Sequence, residues 1–457
     1  MRRHVLYGRY GPDDTAVVPV LDDETATQIG LLSQHNRLGH GIGRALDDLR
    51  RTGLTPSAIG IDLLALALHV QAADTRISRK TESQDGWTRE IRIVVPVDNP
   101  ELWGQARRTL KRALDFLTGD LWTIDFRAKP EHWVKALPPV AMPLTDPPFD
   151  GVSLFSGGLD SLIGAIDVLE RGGEPLLVSH ADEGATSAAQ AACFKGLQEQ
   201  YIDSQFRWLR LWMDLQGIEI SGSDHEMTKR GRSFLFFATG IFAGTCLNRA
   251  FTLAVPENGF IALNVPLDPL RLGSHSTRTT HPFYIARWNE MLNIVGIPSR
   301  IENPYWDKTK GEMVSSCANR SLLTDLVPKS LSCSSPTKGR WQHLPIQHCG
   351  YCLPCLIRRA AIVTGLGEGG DKTRYTIDDL TKRVLDSTQA EGQQIRSFQF
   401  SVNRLRVRPK LASFLVHSTG SLSDEPLDRQ DALVDVYRRG LAEVEQILEG
   451  VHTEAKK

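Results

Sequence analysis

Apolar and polar positions alternate most legibly from residue 152 onward. Val152-Ser153-Leu154-Phe155 is a short apolar run that breaks at Ser156-Gly157-Gly158-Leu159-Asp160-Ser161. Leu159, Leu162, Ile163, Ile166 and Leu169 then recur at helical spacing until Gly172-Gly173 stops the pattern. The pattern predicts a strand, a tight turn and a helix. Downstream, residues 176–180, 206–213 and 260–265 read as strands separated by helical stretches, which predicts an α/β fold with an open, mostly parallel sheet. Upstream, 62–73 reads as a helix with its most apolar part at 63–70, 88–97 as a strand and 103–117 as a second helix. Residues 1–137 are therefore expected to form an additional α+β domain. Beyond Gly370 the chain turns polar and then helical, with apolar residues at helical spacing over 431–448, so 371–457 is expected to be a mainly helical extension.

Five prolines between positions 138 and 148 cannot continue a helix or a central strand, so 138–150 is read as a linker and 151–370 as the main domain. The length of 457 residues leaves room for two or three domains. Lys and Arg total 53 against 54 Asp and Glu, a formal net charge of -1, and no global basic field favours nucleic acid. No apolar run approaches membrane-spanning length, and no signal-like apolar segment follows Arg2 and Arg3, so a soluble cytoplasmic protein is expected. The basic group Arg107, Arg108, Lys111 and Arg112 reads as a solvated helix face.

The turn has the chemistry of an anion cradle. Two adjacent glycines let backbone N–H groups approach an anion, and the helix start beyond them adds its dipole. Ser156 and Ser161 add hydroxyl donors, and Asp160 can hold a metal ion or cap the helix. No lysine follows the glycines, so this is not a Walker loop. The plainer alternative is a turn that merely caps a helix.

Of the 7 cysteines, Cys349, Cys352 and Cys355 stand in His348-Cys349-Gly350-Tyr351-Cys352-Leu353-Pro354-Cys355, with Cys333 upstream. Four thiolates with two-residue gaps suit a closed tetrahedral zinc site. An iron–sulfur cluster is the alternative, but a ferredoxin-type run calls for another cysteine where Arg359 stands. Cys193, Cys246 and Cys317 sit singly and read as buried, unligated thiols.

Ser-Gly-Gly-x-Asp-Ser resembles the PP-loop of the ATP pyrophosphatases, which cut ATP between the α- and β-phosphates and form an adenylate. Joined to Cys…His-Cys-Gly-x-Cys-x-x-Cys-x-x-Arg, it is similar to the QueC family, the 7-cyano-7-deazaguanine synthases. Lys229-Arg230-Gly231-Arg232-Ser233-Phe234-Leu235 looks like that family's arginine-containing segment, and the stretch from Asn303-Pro304 through Thr309-Lys310-Gly311-Glu312-Met313-Val314 looks like its Pro…Thr-Lys-x-Glu-x-Val helix start. The resemblance covers about 150–370. Ordinary members lack anything like 1–137, and their first cysteine gap is shorter. Long, N-terminally extended relatives look like the QueC-like proteins of bacterial antiphage systems, the Qat system and its type IV CBASS counterpart.

The resemblance implies an ATP-dependent ligase with ATP, Mg2+ and Zn2+. A 7-carboxy-7-deazaguanine-type carboxylate would be adenylated with release of pyrophosphate, then joined to an amine, the amino terminus of a partner protein. Ser156, Gly157, Gly158, Leu159, Asp160 and Ser161 would hold the phosphates, and the backbone at Val178 and Ser179 would meet adenine. Arg232 and Lys310 would be cationic clamps, giving a catalytic set of Ser156, Asp160, Ser161, Arg232 and Lys310. The deazaguanine would meet Glu257, Asn258, Asn264 and Asp268 and stack on Phe234 or Phe236, with Arg278 and His281 on the acceptor side. Asn264 and Asp268 fit equally well as the end of a strand and the start of a turn. Cys333, Cys349, Cys352 and Cys355 would hold the metal. Residues 1–137 would bind the partner protein, and the related synthases commonly form dimers. The rivals are free-nitrile synthesis from ammonia, RNA modification by a PP-loop enzyme, and a nucleotide-sensing scaffold without catalysis.

Overall fold

The computed structural model describes residues 3–33, 37–83, 85–131, 133, 147–181, 184–268 and 278–455. In chain order the N-terminal elements are β1 (Arg3–Arg9), β2 (Glu24–Gly30), α1 (Ile42–Arg51), α2 (Ala58–Arg76), α3 (Arg79–Glu82), β3 (Glu90–Val97), α4 (Pro100–Thr118) and β4 (Leu121–Ala128). Their strands form one sheet in the order β2-β1-β3-β4, and every pairing is parallel. This corrects the α+β expectation for 1–137. Parallel neighbours need crossover connections, which α4 supplies between β3 and β4. The unbroken apolar burial of β3 from Ile93 to Val97 is that of a parallel strand covered on both sides.

The second sheet is built from β5 (Gly151–Leu154), β6 (Pro175–His180), β7 (Arg207–Leu211), β8 (Phe251–Ala254) and β9 (Ser299–Glu302). It is parallel throughout, in the order β7-β6-β5-β8-β9. Between these strands lie α5 (Leu159–Glu170), α6 (Gly184–Gln200), α7 (Arg232–Gly244), α8 (Gly259–Leu263) and α9 (Pro282–Ile294). The order reverses beside β5, and in such sheets ligands sit outside the carboxyl ends of the strands at that point.

The expected strand at 260–265 is corrected to the helix α8. Asn258 caps it by accepting the Ile261 N–H at 3.0 Å, and the strand of this region is β8, which ends at Ala254. The proline-rich stretch 138–146 and residues 269–277 lie outside the described residues.

Beyond β9 come α10 (Lys310–Ser315), α11 (Arg320–Leu326), α12 (Leu353–Leu366), a two-residue strand β10 (Leu385–Asp386), then α13 (Ala390–Val407), α14 (Leu411–His417) and α15 (Leu427–Ile447), with β11 (Thr453–Glu454) pairing to β10. α15 packs on α12 and α8, so the C-terminal helices are part of the body. One continuous core joins both sheets, from Leu6 and Ile93 through Leu66 and Ile241 to Val152. Among the described residues α2 alone is long and apolar enough to cross a membrane, and 89% of that window is buried inside the fold.

Candidate functional site

The turn after β5 is shaped by its glycines. Gly157 has φ +76, and a Cβ there would lie 2.8 Å from the backbone N of Gln190, so only glycine fits. Gly158 is the N-cap of α5 in extended conformation. The hydroxyls of Ser156 and Ser161 fold into the turn, 3.1 Å apart. Ser156 N–H donates to Ser161 Oγ at 3.2 Å, and Gly158 N–H donates to Ser156 Oγ at 3.3 Å. The turn is thus held by its own hydroxyl network at the start of α5.

A cavity of about 320 Å³ opens beside this turn, at the carboxyl ends of β5, β6 and β8. Ser156, Ser161, Val178, Ser179, Arg232 and Glu257 all line it, so the structure brings these six expected residues together. Phe236 lines it too, with the Arg232 guanidinium 5.0 Å from its ring centroid. Burial lowers the Arg232 pKa below that of an ordinary arginine. Burial pushes the Glu257 carboxyl up to about 7, although Thr280 donates its hydroxyl to it.

Gln190, which sequence reasoning missed, lines the cavity, as does His180. Gln190 donates to His180 O at 3.2 Å, and its own Oε1 is buried with no partner among the described residues. His180 Nε2 accepts the Met213 N–H at 3.3 Å, which places the neutral ring's proton on Nδ1, also buried with no partner among the described residues. Burial, with Arg232 and Lys229 nearby, lowers the His180 pKa to about 4, so the ring is neutral near pH 7. No sequence signal marked Gln190, which sits inside α6.

Asp160 and Lys310 are paired. Lys310 Nζ lies 3.0 Å from Asp160 Oδ1, and Asp160 Oδ2 accepts both the backbone N–H and the side-chain N–H of Asn258, at 3.2 and 2.7 Å. Asp160 and Lys310 are 8% and 4% exposed, and neither lines the cavity. Lys310 opens α10, whose capping box is Thr309 with Glu312, as the Thr-Lys-Gly-Glu spacing predicts. Glu443 of α15 accepts from the Thr309 hydroxyl and from Gly311 N. These groups fasten α5, α8, α10 and α15 beneath the turn. Lys310 and Asn258 thus engage both oxygens of Asp160, the side chain expected to hold a metal ion or cap the helix.

Six expected substrate contacts do not line the cavity. Phe234 is fully buried, 4.7 Å from Trp288, in the core. Asn264 is the left-handed C-cap of α8 and borders a different cavity. His281 caps α9 and contacts Thr419 at 3.0 Å. Arg278 donates to Phe116 O at 3.0 Å and covers that ring. Asp268 does not line the cavity either. Asn258 acts through Asp160 rather than facing the cavity.

Cys333, Cys349, Cys352 and Cys355 have their sulfur atoms within 4.8 Å of one another. Cys333 to Cys352 and Cys349 to Cys355 are each 3.9 Å, close to the roughly 3.8 Å edge of a tetrahedral zinc–sulfur site. None of the four is in a disulfide. Backbone N–H groups of Cys349 and Ser335 donate to Cys333 Sγ, and that of Cys352 donates to Cys349 Sγ, which favours thiolates. The donor set fits a metal such as zinc. By contrast, burial pushes the Cys193, Cys246 and Cys317 thiols up to about 12, as isolated buried thiols require. Ser332, next to Cys333, was missed although it joins this cluster to the turn: Leu331 N–H donates to Gly157 O at 2.9 Å, and Leu159 N–H donates to Ser332 Oγ at 3.3 Å.

No family model matches the chain, and a search of curated proteins found no match. A solved structure described as the adenylation, ketoreductase, and pseudo Asub multidomain structure of a keto acid-selecting NRPS module is similar at a TM-score of 0.21 and 10% identity. The match covers 66% of this chain and 32% of that one, and so slight a likeness carries no argument about fold or function.

Proposed function

We propose that this chain is an ATP-dependent ligase of the PP-loop type. ATP occupies the cavity with its phosphates at the Ser156–Ser161 turn. A substrate carboxylate oxygen attacks the α-phosphorus, the bond to the β-phosphate oxygen breaks, and pyrophosphate leaves. An amine then attacks the carbonyl carbon of the adenylate and AMP departs. The acid is of the 7-carboxy-7-deazaguanine type, and the amine is the amino terminus of a partner protein in an antiphage system of the Qat kind.

One arrangement carries the reading: a strand–turn–helix that only glycine can make at Gly157, at the reversal point of a parallel sheet, opening on a nucleotide-sized cavity. The Ser156 and Ser161 hydroxyls suit the departing pyrophosphate, and Arg232 offsets charge in the same space. Gln190 and His180, in the cavity wall, carry an acceptor and a donor, the pair a purine edge requires once their side chains turn to it. Glu257 suits a ring N–H of the acid. Magnesium, when bound with ATP, would neutralise phosphate charge; zinc at the four cysteines would hold the segment that closes against the turn.

The test is incubation of the chain with ATP, magnesium and the carboxylate, with and without co-expressed partner, followed by mass spectrometry. Pyrophosphate and AMP together with a mass gain on the partner are expected. A free nitrile with no protein mass gain would assign the synthase reaction instead. ATP bound but never cleaved would assign the nucleotide-sensing scaffold.

A further inference from the structure

Residues 212–231, between β7 and α7, contain no helix or strand, yet the N-terminal part of the chain holds them along their length. Asp214 N–H donates to His40 O at 3.0 Å, and Ser78 N–H donates to Ser223 Oγ at 2.8 Å. Arg79 N–H donates to Glu226 Oε2 at 2.7 Å. The Arg230 guanidinium lies 3.9 Å from the Trp87 ring centroid and donates to Thr118 O at 3.2 Å.

The stretch ends on a buried charge cluster. Gly231 N–H donates to Asp74 Oδ2 at 2.7 Å, and Asp74 is 0% exposed. Its other oxygen takes Arg89 Nη2 at 3.1 Å, and Arg79 and Arg89 both reach Asp120 at 2.7 Å. A Cβ on Gly231 would lie 3.1 Å from Asp74 Cβ. At the far end of the same helix pair, a Cβ on Gly60 would lie 2.6 Å from Thr245 Oγ1. α2 and α7 therefore run antiparallel in close contact, registered at both ends. The residue after Gly231 is Arg232, in the cavity wall. A buried ion cluster is a poor source of net stability, because desolvation offsets attraction, so its use here is geometric.

We infer that Asp74 is a positioning residue: by holding Gly231 it sets where α7 begins and hence where Arg232 enters the cavity. The N-terminal region is then a working part of the catalytic unit. This rests on the proposed function, which gives Arg232 its task.

Gly231→Ala tests it, since Gly231 has helical backbone (φ -70, ψ -7) and alanine adds only a methyl group against Asp74. Measured as carboxylate-dependent pyrophosphate release, the variant is expected to lose on the order of 10- to 100-fold. In an Arg232→Met background the same change is expected to cost less than about twofold, because the two act as one unit. Its effect on the melting midpoint should be alike in both backgrounds. Asp74→Asn, which keeps an acceptor oxygen for Gly231, should recover most of the release that Asp74→Ala loses. Losses that multiply between Gly231→Ala and Arg232→Met, in an active wild type, would overturn this inference alone. A wild type that neither binds ATP nor releases pyrophosphate would overturn the proposed function, and this inference with it.

Discussion

Leu159 donates its backbone N–H to Ser332 Oγ at 3.3 Å, so the first residue of α5 is held by the residue preceding the first cysteine of the cluster. Ser332 N–H in turn donates to His348 Nε2 at 3.2 Å, adjoining the second cysteine. The four-cysteine segment and the glycine turn are one piece of structure.

Stripping the metal should therefore lower the melting midpoint and weaken nucleotide binding together. A zinc site of four cysteines contributes on the order of 10–16 kcal/mol of binding free energy in small domains, enough to order a loop of this kind. Ser332→Ala should keep the metal, measured by elemental analysis, yet weaken ATP binding about fivefold in calorimetry, the effect of about 1 kcal/mol for one hydrogen bond. Unchanged ATP affinity in the stripped protein would disprove the link.

Gly157→Ala should fail on two counts. A left-handed backbone costs a β-carbon residue about 1–2 kcal/mol, and the new methyl would press on the Gln190 backbone at 2.8 Å. Urea denaturation should show a loss of about 2 kcal/mol or more, and pyrophosphate release should fall by at least about tenfold.

Lys310→Met would leave the Asp160 carboxylate buried without its counter-charge, at a cost of about 3 kcal/mol in chemical denaturation. Adding Asp160→Asn should restore part of that stability, since the amide oxygen can still accept from Asn258. A double variant as unstable as the sum of the singles would show that the pair does not interact.

The raised Glu257 makes a signed prediction. Its folded value of about 7 lies above the ordinary 4.5, so between these pH values the folded chain keeps a proton that the unfolded chain has released. Its contribution to stability is complete below about 4.5 and is lost as pH rises through 7. Glu257→Gln, which never ionises, should match the wild type at low pH and exceed it at pH 8 by roughly 1–3 kcal/mol. Equal stabilities at both ends would show that burial does not perturb this carboxyl.

Much of the site was legible because each signal had a local cause. The apolar run, the paired glycines and the period of Leu159 to Leu169 specify strand, turn and helix without help from the rest of the chain. The cysteine spacing likewise needs only local geometry. What escaped depends on contacts across the fold. The apolar stretch at 260–265 fits a short helix or a strand, and only the Asn258 cap, bonded to Asp160, decides for the helix. Within α7 nearly every face is apolar, so periodicity could not tell Phe234, against Trp288, from Phe236, in the cavity wall. Gln190 has no pattern of its own; its place follows from Gly157 leaving no room for a side chain. The N-terminal strands are parallel because of crossovers that the spacing of apolar residues does not reveal.

The central claim is that an acid is adenylated at the turn, and exchange of labelled pyrophosphate into ATP measures that step by itself. With the acid present and no amine acceptor, label should appear in ATP, and it should vanish when the acid is omitted or Gly157 is replaced by alanine. Absence of exchange in metal-loaded protein that binds both ATP and the acid would contradict the account.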